Sequence, residues 1–240
     1  MQKEIEYQEA LVEDVKRLCR ERKKYKSALN EWSKPRELGA NPELGVAYEE
    51  AKQKYLEVRE SLGAERLAEC ERYMATNKRR WMRVRSGVRR LLQNDAALFV
   101  TLTFTDDCLA STSAKTRREY VRDYLKSQSD DYMANIDFGK KNSREHYHAL
   151  VRACSIDLTP WREAHGSINV KRVKVASQLD AEGFQKSVGR LSHYIDKLTN
   201  HALKGVTDNR IIWSRKRPSE VELLDVTDDD DFLSWLDDLA

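Results

Sequence analysis

The sequence is poor in residues that interrupt helices and in residues that cross-link chains. Only four prolines and nine glycines occur among 240 residues, so long uninterrupted helices are permitted. The four cysteines are Cys19, Cys70, Cys108 and Cys154, and no two of them form a CxxC pair. This scattered spacing favours reduced structural thiols over a disulfide framework or a thiolate zinc site.

Long apolar runs are also missing. No run approaches the ~18 residues that a membrane-spanning helix needs, and the N-terminal segment MQKEIEYQEALVEDVKRL is too charged for a signal peptide. The phosphate-binding pattern GxxxxGK[ST] does not occur, so an ATP-driven motor is not predicted. With 40% hydrophobic residues the chain can bury a core, and we expect a cytoplasmic protein without membrane attachment.

Negative charge is concentrated at the C-terminus. Residues 219–240 hold nine acids and no base, so the remainder of this chain of net charge +3 carries an excess of twelve positive charges. Such an excess favours a polyanionic partner. We predict that 217–240 form an acidic tail, which either docks on the basic part of the chain or binds a partner protein.

Helical periodicity dominates the first ninety-odd residues. The spacing predicts helices over 5–32, 47–62 and 64–92, with a bend at Gly87, in an antiparallel hairpin or bundle. This arm, residues 1–94, is expected to bind DNA or to mediate homo-oligomerisation. Its third helix carries nine bases against three acids, and Arg79, Arg80 and Arg83 are the candidate DNA contacts. A solvated basic face remains the alternative.

Strand patterns follow from Leu98 onward. LFVTLTF, ANIDFG, EHYHALVRA and SINVKRVKV are short, and they are rich in β-branched or aromatic residues or alternate in polarity. Helical stretches near 115–126 and 181–203 lie between or after them. The predicted fold is therefore α+β, an antiparallel sheet covered by helices over 95–216.

Two histidines share one face of a predicted strand. Side chains alternate along a strand, so His146 and His148 point the same way and Tyr147 points to the other layer. The segment NIDFG is the expected hairpin partner and brings Asp137 to the same place, which gives a set of ligands for a divalent ion. A structural histidine pair without metal remains open. Rival carboxylates are Asp106, Asp107 and Glu145.

A tyrosine and a lysine lie one turn apart on a later helical stretch. Tyr194 and Lys197 are three residues apart and therefore share a helix face. A phenol ordinarily keeps its proton at neutral pH, and a nearby cation helps it to act as a nucleophile. Tyr194 as an ordinary amphipathic core residue is the alternative interpretation.

The ordered set FVTLTF, HYH and YIDK resembles the HUH endonuclease superfamily, in which two histidines separated by one bulky residue bind the metal. It is most similar to the rolling-circle replication initiators of small plasmids and single-stranded DNA phages. The likeness covers about residues 96–205 and includes DFGKKNSREHYHALV and VGRLSHYIDK. Asp137 stands where the family more often has glutamate, and Leu198 stands where some relatives carry a second tyrosine. The resemblance therefore implies a single-tyrosine enzyme.

The resemblance implies a role for each matched residue. Thr101, Leu102 and Thr103 would form a structural first motif near the DNA. Asp137 and the two histidines would hold Mg²⁺ or Mn²⁺, Tyr194 would cut, and Lys197 would assist. The further candidate DNA contacts are Lys140, Lys141, Arg144, Lys171 and Arg172.

The implied reaction is nicking of single-stranded or hairpin origin DNA to give a 5′-phosphotyrosine and a free 3′-hydroxyl, with later rejoining of strands. Host helicase and polymerase would be the partners. One alternative is a single-tyrosine HUH transposase, and conjugative relaxases rank lower because they usually place the tyrosine first. Another is a non-catalytic helical protein that binds nucleic acid or oligomerises.

Overall fold

The computed structural model describes residues 2–33, 42–138, 144–196 and 211–214. Contacts divide the chain into two compact units, of which one extends to Arg80 and the other begins at Trp81. We refer to them as the helical unit and the sheet unit. Their boundary falls inside the segment 1–94 that the sequence assigns to a helical arm. The acidic tail predicted for 217–240 lies outside the described residues.

The helical unit consists of α1 (Gln2–Ser33) and the part of α2 (Pro42–Leu92) that precedes Trp81. Helix α2 is broken at Gly63, whose φ of 70° and ψ of 165° are not helical. Residues with a Cβ rarely adopt this conformation, so glycine permits the break. No helix within the described ranges is long and apolar enough to cross a membrane.

Helix α1 packs against α2 on both sides of this break. The pairs that define the packing are Tyr25–Tyr55 and Trp32–Tyr48 before Gly63, and Asp14–Arg66 and Cys19–Met74 after it. Before Gly63, higher-numbered residues of α1 contact lower-numbered residues of α2. After Gly63, higher-numbered residues of α1 contact higher-numbered residues of α2. The first part of α2 is therefore antiparallel to α1, and the second part is parallel to it.

The sheet unit is built on five antiparallel strands in the order β4-β1-β3-β2-β5. The strands are β1 (Ala97–Phe104), β2 (Tyr132–Phe138), β3 (Glu145–Val151), β4 (Gly166–Val173) and β5 (Ile212–Trp213). Because β3 lies between β1 and β2, its residues from His146 to Val151 have cross-strand neighbours on both sides.

Helices cover both faces of this sheet. On one face, α3 (Asp106–Ser111), α4 (Ala114–Gln128) and α5 (Thr159–Ala164) form a core with the sheet. Its residues include Leu102, Val121, Leu125, Tyr147 and Trp161. Tyr124 belongs to this core, donates to Asp157 O and has its pKa raised to about 12 by burial.

The second face is covered by the end of α2 and by α6 (Ala181–Ile195), which follows a short 3₁₀ turn (Ala176–Gln178). This second core includes Val84, Val88, Leu150, Val188 and Leu191. Asp180 starts α6 by accepting a hydrogen bond from Gly183 N at 2.7 Å. Because α6 packs in this second core, the helix that carries Tyr194 lies on the face of the sheet that carries the histidines.

The structure confirms the mixed helical and antiparallel-sheet architecture predicted from the sequence. The break at Gly63 falls between the predicted helices 47–62 and 64–92 and confirms that boundary. The predicted bend at Gly87 is wrong, because α2 remains helical there. At Gly87 a Cβ atom would lie 2.6 Å from the Trp213 ring, so glycine there permits close packing. Helix α6 ends at Ile195, and the rest of its predicted extent, from residue 197 to 203, lies outside the described residues.

Glycine is required at the start of β4 for a different reason. Gly166 has a φ of 151°, and a Cβ there would lie 2.3 Å from Thr103 O on the neighbouring strand. We expect Gly166→Ala to lower the free energy of unfolding by about 3 kcal/mol and the melting temperature by about 5–10 °C. Thermal unfolding followed by circular dichroism measures this change.

The matched control is Gly189→Ala in α6, where a Cβ would meet nothing within 4 Å. Alanine favours a helix over glycine by up to ~1 kcal/mol, so this variant should be as stable as the wild type or slightly more stable. Equal melting temperatures for the two alanine variants would contradict the role assigned to Gly166.

Candidate metal centre

The pairing of three strands gathers polar side chains on one face of the sheet. On β2, Asp137 lies opposite His146 and Asn135 lies opposite His148. On β1, Thr101 lies opposite His148. Directly opposed residues of antiparallel strands point to the same face, so these five side chains form one polar patch.

Asp137 is the centre of this patch. Its Oδ2 atom lies 3.3 Å from Nε2 of His146 and 3.2 Å from Nε2 of His148. Its Oδ1 atom accepts a hydrogen bond from Phe138 N at 2.9 Å, which fixes the plane of the carboxylate. Asp137 is only 3% exposed, so its charge depends on these partners for compensation.

The tautomer of His146 follows from its second contact. Its Nδ1 lies 3.1 Å from the carbonyl oxygen of Arg144. A carbonyl can only accept, so Nδ1 carries the hydrogen, and the neutral ring directs the lone pair of Nε2 at Asp137. Two lone pairs facing each other repel, and either a proton on Nε2 or a shared cation removes the repulsion. The donor set therefore fits a cation.

The ring of His148 is held on two sides. Its Nδ1 lies 3.3 Å from Oγ1 of Thr101, and its ring stacks on Phe99 with centroids 5.4 Å apart. Hydrogen bonds to the second nitrogen of a histidine orient the ring and tune its basicity as a ligand. Thr101 thus has a specific place beside the candidate centre, whereas Leu102 is fully buried on the opposite face.

The ligand atoms of Asp137, His146 and His148 all lie within 4.8 Å of one another. Two imidazoles and one carboxylate are a common donor set for divalent metals, and three protein ligands leave coordination positions for water or substrate. The two rings are close to perpendicular, with an interplanar angle of 80°. Their Nε2 atoms therefore approach the carboxylate from different directions.

Tyr194 lies beside this group. Its ring centroid is 6.3 Å from that of His148 and 6.0 Å from that of Phe99, with edge-on geometry in both cases. The residue is 44% exposed although it lies in the last turn of α6. The structure therefore brings the candidate nucleophile and the candidate metal ligands together, with the phenol accessible from solvent.

Two of the three rival carboxylates form ion pairs outside this group. Glu145 forms a two-pronged ion pair with Arg117, at 3.0 and 2.6 Å, and this pairing raises the pKa of the guanidinium. Asp106 pairs with Arg144 at 3.1 Å, and Arg144 also donates to Phe104 O. Asp107 is exposed in the first turn of α3. Arg144 thus makes protein contacts beside the His146 end of β3.

The remaining predicted DNA contacts are dispersed. By strand alternation, Lys171 on β4 shares the face of Phe99 and His148, whereas Arg172 points to the opposite face. Both residues are exposed. Arg79 and Arg80 belong to the helical unit and Arg83 to the sheet unit. Lys140 and Lys141 lie outside the described residues, as does Lys197, the residue predicted to assist catalysis.

Two residues of the site were not singled out from the sequence. Phe99 stacks on His148, and Asn135 donates from Nδ2 to Ile195 O at 2.8 Å. Strand alternation places Phe99 on the face of Thr101, and Asn135 is two residues before Asp137. This local signal was present, but only the register of β2, β1 and β3 turns it into contacts.

Comparisons with protein-family models, with curated proteins and with solved structures each returned no match.

The donor set predicts that the sheet unit binds a divalent ion. Mn²⁺ at one hundred times its dissociation constant should stabilise the fold by ~2.7 kcal/mol and raise the melting temperature by about 5–10 °C. Replacing both His146 and His148 by alanine should abolish this rise. Thermal scans with and without Mn²⁺, together with the electron paramagnetic resonance signal of free Mn²⁺, measure the effect.

His193→Ala is the matched control, because His193 is adjacent to Tyr194 in sequence but is absent from the group of ligand atoms. It should retain the full Mn²⁺ response. A double histidine variant that still gained the same stability from Mn²⁺ would show that the ion binds at another place.

Proposed function

We propose that this protein is a metal-dependent DNA nicking and joining enzyme of the HUH type, in which Tyr194 is the nucleophile. The observation that carries the proposal is the exposed ring of Tyr194 beside His148 of the Asp137–His146–His148 group. A nucleophile next to a candidate Lewis-acid site is what phosphoryl transfer by tyrosine requires.

The arrangement of the sheet also supports this proposal. The strand that carries both histidines is central, and its neighbours carry the acid on one side and the first motif on the other. The tyrosine helix packs on the same face. Three motifs that are far apart in the sequence, FVTLTF, HYH and YIDK, thus begin in elements that meet on one sheet. This convergence favours the rolling-circle initiator type of HUH fold.

The chemistry follows from the positions of the side chains. A divalent ion, Mg²⁺ or Mn²⁺, would be held by Asp137, His146 and His148 and would supply Lewis-acid polarisation of a phosphate oxygen. The phenol oxygen of Tyr194 forms a bond to phosphorus and loses its proton, while the bond from phosphorus to the 3′ oxygen breaks. That oxygen gains a proton and leaves as a 3′-hydroxyl. The 5′-phosphotyrosine retains the phosphodiester energy for rejoining.

An unpaired strand is the substrate that fits this site. The phenol lies beside the rings of His148 and Phe99, and Lys171 shares their face of the sheet. Bases stack on aromatic rings and phosphates pair with lysine in proteins that bind single strands. Nicking of origin DNA in rolling-circle replication, with host helicase and polymerase, is the biological role that this chemistry serves.

Removal of one oxygen atom tests the nucleophile. Tyr194→Phe should abolish the covalent protein–DNA adduct formed with labelled single-stranded oligonucleotides and Mn²⁺, while oligonucleotide affinity changes less than threefold. The phenol attacks phosphorus but contributes little to binding, so chemistry and affinity separate. Denaturing gels measure the adduct, and fluorescence anisotropy measures the affinity.

Tyr120→Phe is the control for this experiment, because Tyr120 stacks on His165 on the opposite side of the sheet. It should form the adduct at the wild-type rate, and chelation of the metal should stop the reaction in both. Adduct formation by Tyr194→Phe, or no adduct from the wild type across a broad set of oligonucleotides, would refute the proposed chemistry.

The helical unit contributes a concentration of positive charge. Partial burial, followed by the charges of Lys26 and Arg22, lowers the pKa of Lys78. These three cations come from two helices that pack side by side, and Arg79 and Arg80 follow Lys78 directly. Neighbouring cations repel one another, and a nucleic-acid backbone relieves this repulsion because its phosphates neutralise several of them at once. This cluster is therefore suited to bind DNA.

Charge reversal tests this surface. Replacing Lys26 and Lys78 by glutamate should weaken binding of single-stranded DNA at least tenfold. It should also flatten the plot of log affinity against log salt by ~0.7 for each phosphate that the protein no longer neutralises. The Lys52→Glu, Lys54→Glu double variant makes the same change of net charge in the first half of α2. An equal fall in affinity and in slope for both double variants would mean that net charge alone governs binding.

A further inference from the structure

The side chain of Asn135 connects a strand of the candidate metal centre to the helix of the candidate nucleophile by a hydrogen bond. Asn135 lies on β2 opposite His148 and two residues before Asp137. Its Nδ2 donates a hydrogen bond of 2.8 Å to the carbonyl oxygen of Ile195, the residue after Tyr194. Asn135 is 1% exposed and Ile195 is also 1% exposed, so this bond is shielded from water.

The Ile195 carbonyl is a group that needs such a partner. Helix α6 ends at Ile195, and Asp196 leaves the helical conformation with φ −103° and ψ 42°. The last carbonyls of a helix receive no hydrogen bond from within the helix, and a buried one is costly unless a side chain or water satisfies it. The amide of Asn135 supplies the donor from the sheet.

The orientation of the Asn135 amide follows from the chemistry of this contact. A carbonyl oxygen only accepts hydrogen bonds, so the atom that faces it is the amide nitrogen. An aspartate at this position would have the same shape but would present only acceptor oxygens when ionised. Asparagine supplies the N–H donor that this contact requires, and ionised aspartate does not.

We propose that Asn135 is a positioning residue, which sets the height of the Tyr194 phenol over the Asp137–His146–His148 group by holding the last turn of α6. This inference rests on the proposed function and adds a residue to it. Val188 and Leu191 fix the middle of α6 through apolar packing, which is not directional. The amide bond of Asn135 provides a directional constraint at the end that carries the nucleophile.

A nucleophile displaced by about 1 Å loses on the order of 10²-fold in rate because in-line attack depends on distance and angle. We therefore expect Asn135→Asp to slow single-turnover adduct formation by about 10–100-fold. For Asn135→Ala, which adds no carboxylate beside the metal ligands, the affinities for Mn²⁺ and for the oligonucleotide should change less than threefold, because Asn135 is not among the metal-ligand group. This separation of rate from affinity distinguishes positioning from general loss of structure.

Asn94→Asp is the matched control. Asn94 also donates from Nδ2 to carbonyls at a helix end, those of Arg90 and Leu91 at 2.9 and 3.1 Å, but it does so at the end of α2. The same atom change there should leave the adduct rate within twofold of the wild type. Asn135→Ala is a second test variant, because it removes the donor without burying a carboxylate.

A spectroscopic measurement reports the position of Tyr194 without cleavage. In protein labelled with 3-fluorotyrosine, bound Mn²⁺ should broaden the Tyr194 fluorine resonance, which is assigned by its loss in Tyr194→Phe. This broadening falls steeply with distance from the ion. It should decrease severalfold in Asn135→Asp and Asn135→Ala and remain unchanged in Asn94→Asp.

The two measurements separate the two proposals. If the wild type forms an adduct but the Asn135 variants match it in rate and in broadening, the positioning role is overturned and the nickase stands. If the wild type forms no adduct, the proposed function fails, and the broadening alone decides whether Asn135 places the phenol. A fall in rate that merely follows a fall in Mn²⁺ affinity would also overturn the positioning role.

Discussion

The contact of two imidazole rings with one carboxylate oxygen is the interaction on which the candidate metal centre depends. It requires that β2 and β3 pair so that Asp137 lies opposite His146, because a slip of one residue would turn the side chains of one strand to the other face. The opposite face enforces this register, since Ile136 and Tyr147 are its apolar partners and both are buried there. The hydrophobic core on one side of the sheet thus determines the polar geometry on the other.

The buried acids of this unit differ in how their charge is compensated. Asp131 accepts hydrogen bonds from Arg90 and Ser214, and Glu145 pairs with Arg117 through both oxygens. A guanidinium group carries a permanent positive charge, so each of these pairs is complete by itself. Asp137 instead faces two imidazoles. An imidazole is positive only when it is protonated, so the charge of Asp137 is compensated either by such a proton or by a cation bound between the rings. This conditional compensation is what separates a candidate binding site from a structural ion pair.

Much of the site could be predicted from the sequence because its geometry is local. Strand alternation places His146 and His148 on one face, and a hairpin of ordinary length returns Asp137 to them. The contacts of Asn135 and Phe99 could not be predicted, because they depend on the register and on how α6 docks. The sequence predicts the helix boundary at Gly63, since the expected helices end at 62 and resume at 64, but it does not indicate that Gly87 stays helical. Gly63 adopts a positive φ, whereas Gly87 remains helical and lies against Trp213, a residue distant in sequence.

The exposure of Tyr194 is the point on which the structural and the functional interpretations of this residue differ. An amphipathic helix buries one stripe, and in α6 that stripe consists of Val188, Leu191, Ser192 and Ile195. Tyr194 lies outside it and is 44% exposed, whereas Tyr147, between the two histidines in sequence, is 2% exposed in the opposite core. Core packing therefore explains Tyr147 but not Tyr194. A phenol at the end of a well-packed helix, beside a ring that offers a metal ligand, is instead accessible to a substrate, and accessibility is the property that a nucleophile needs and a core residue lacks.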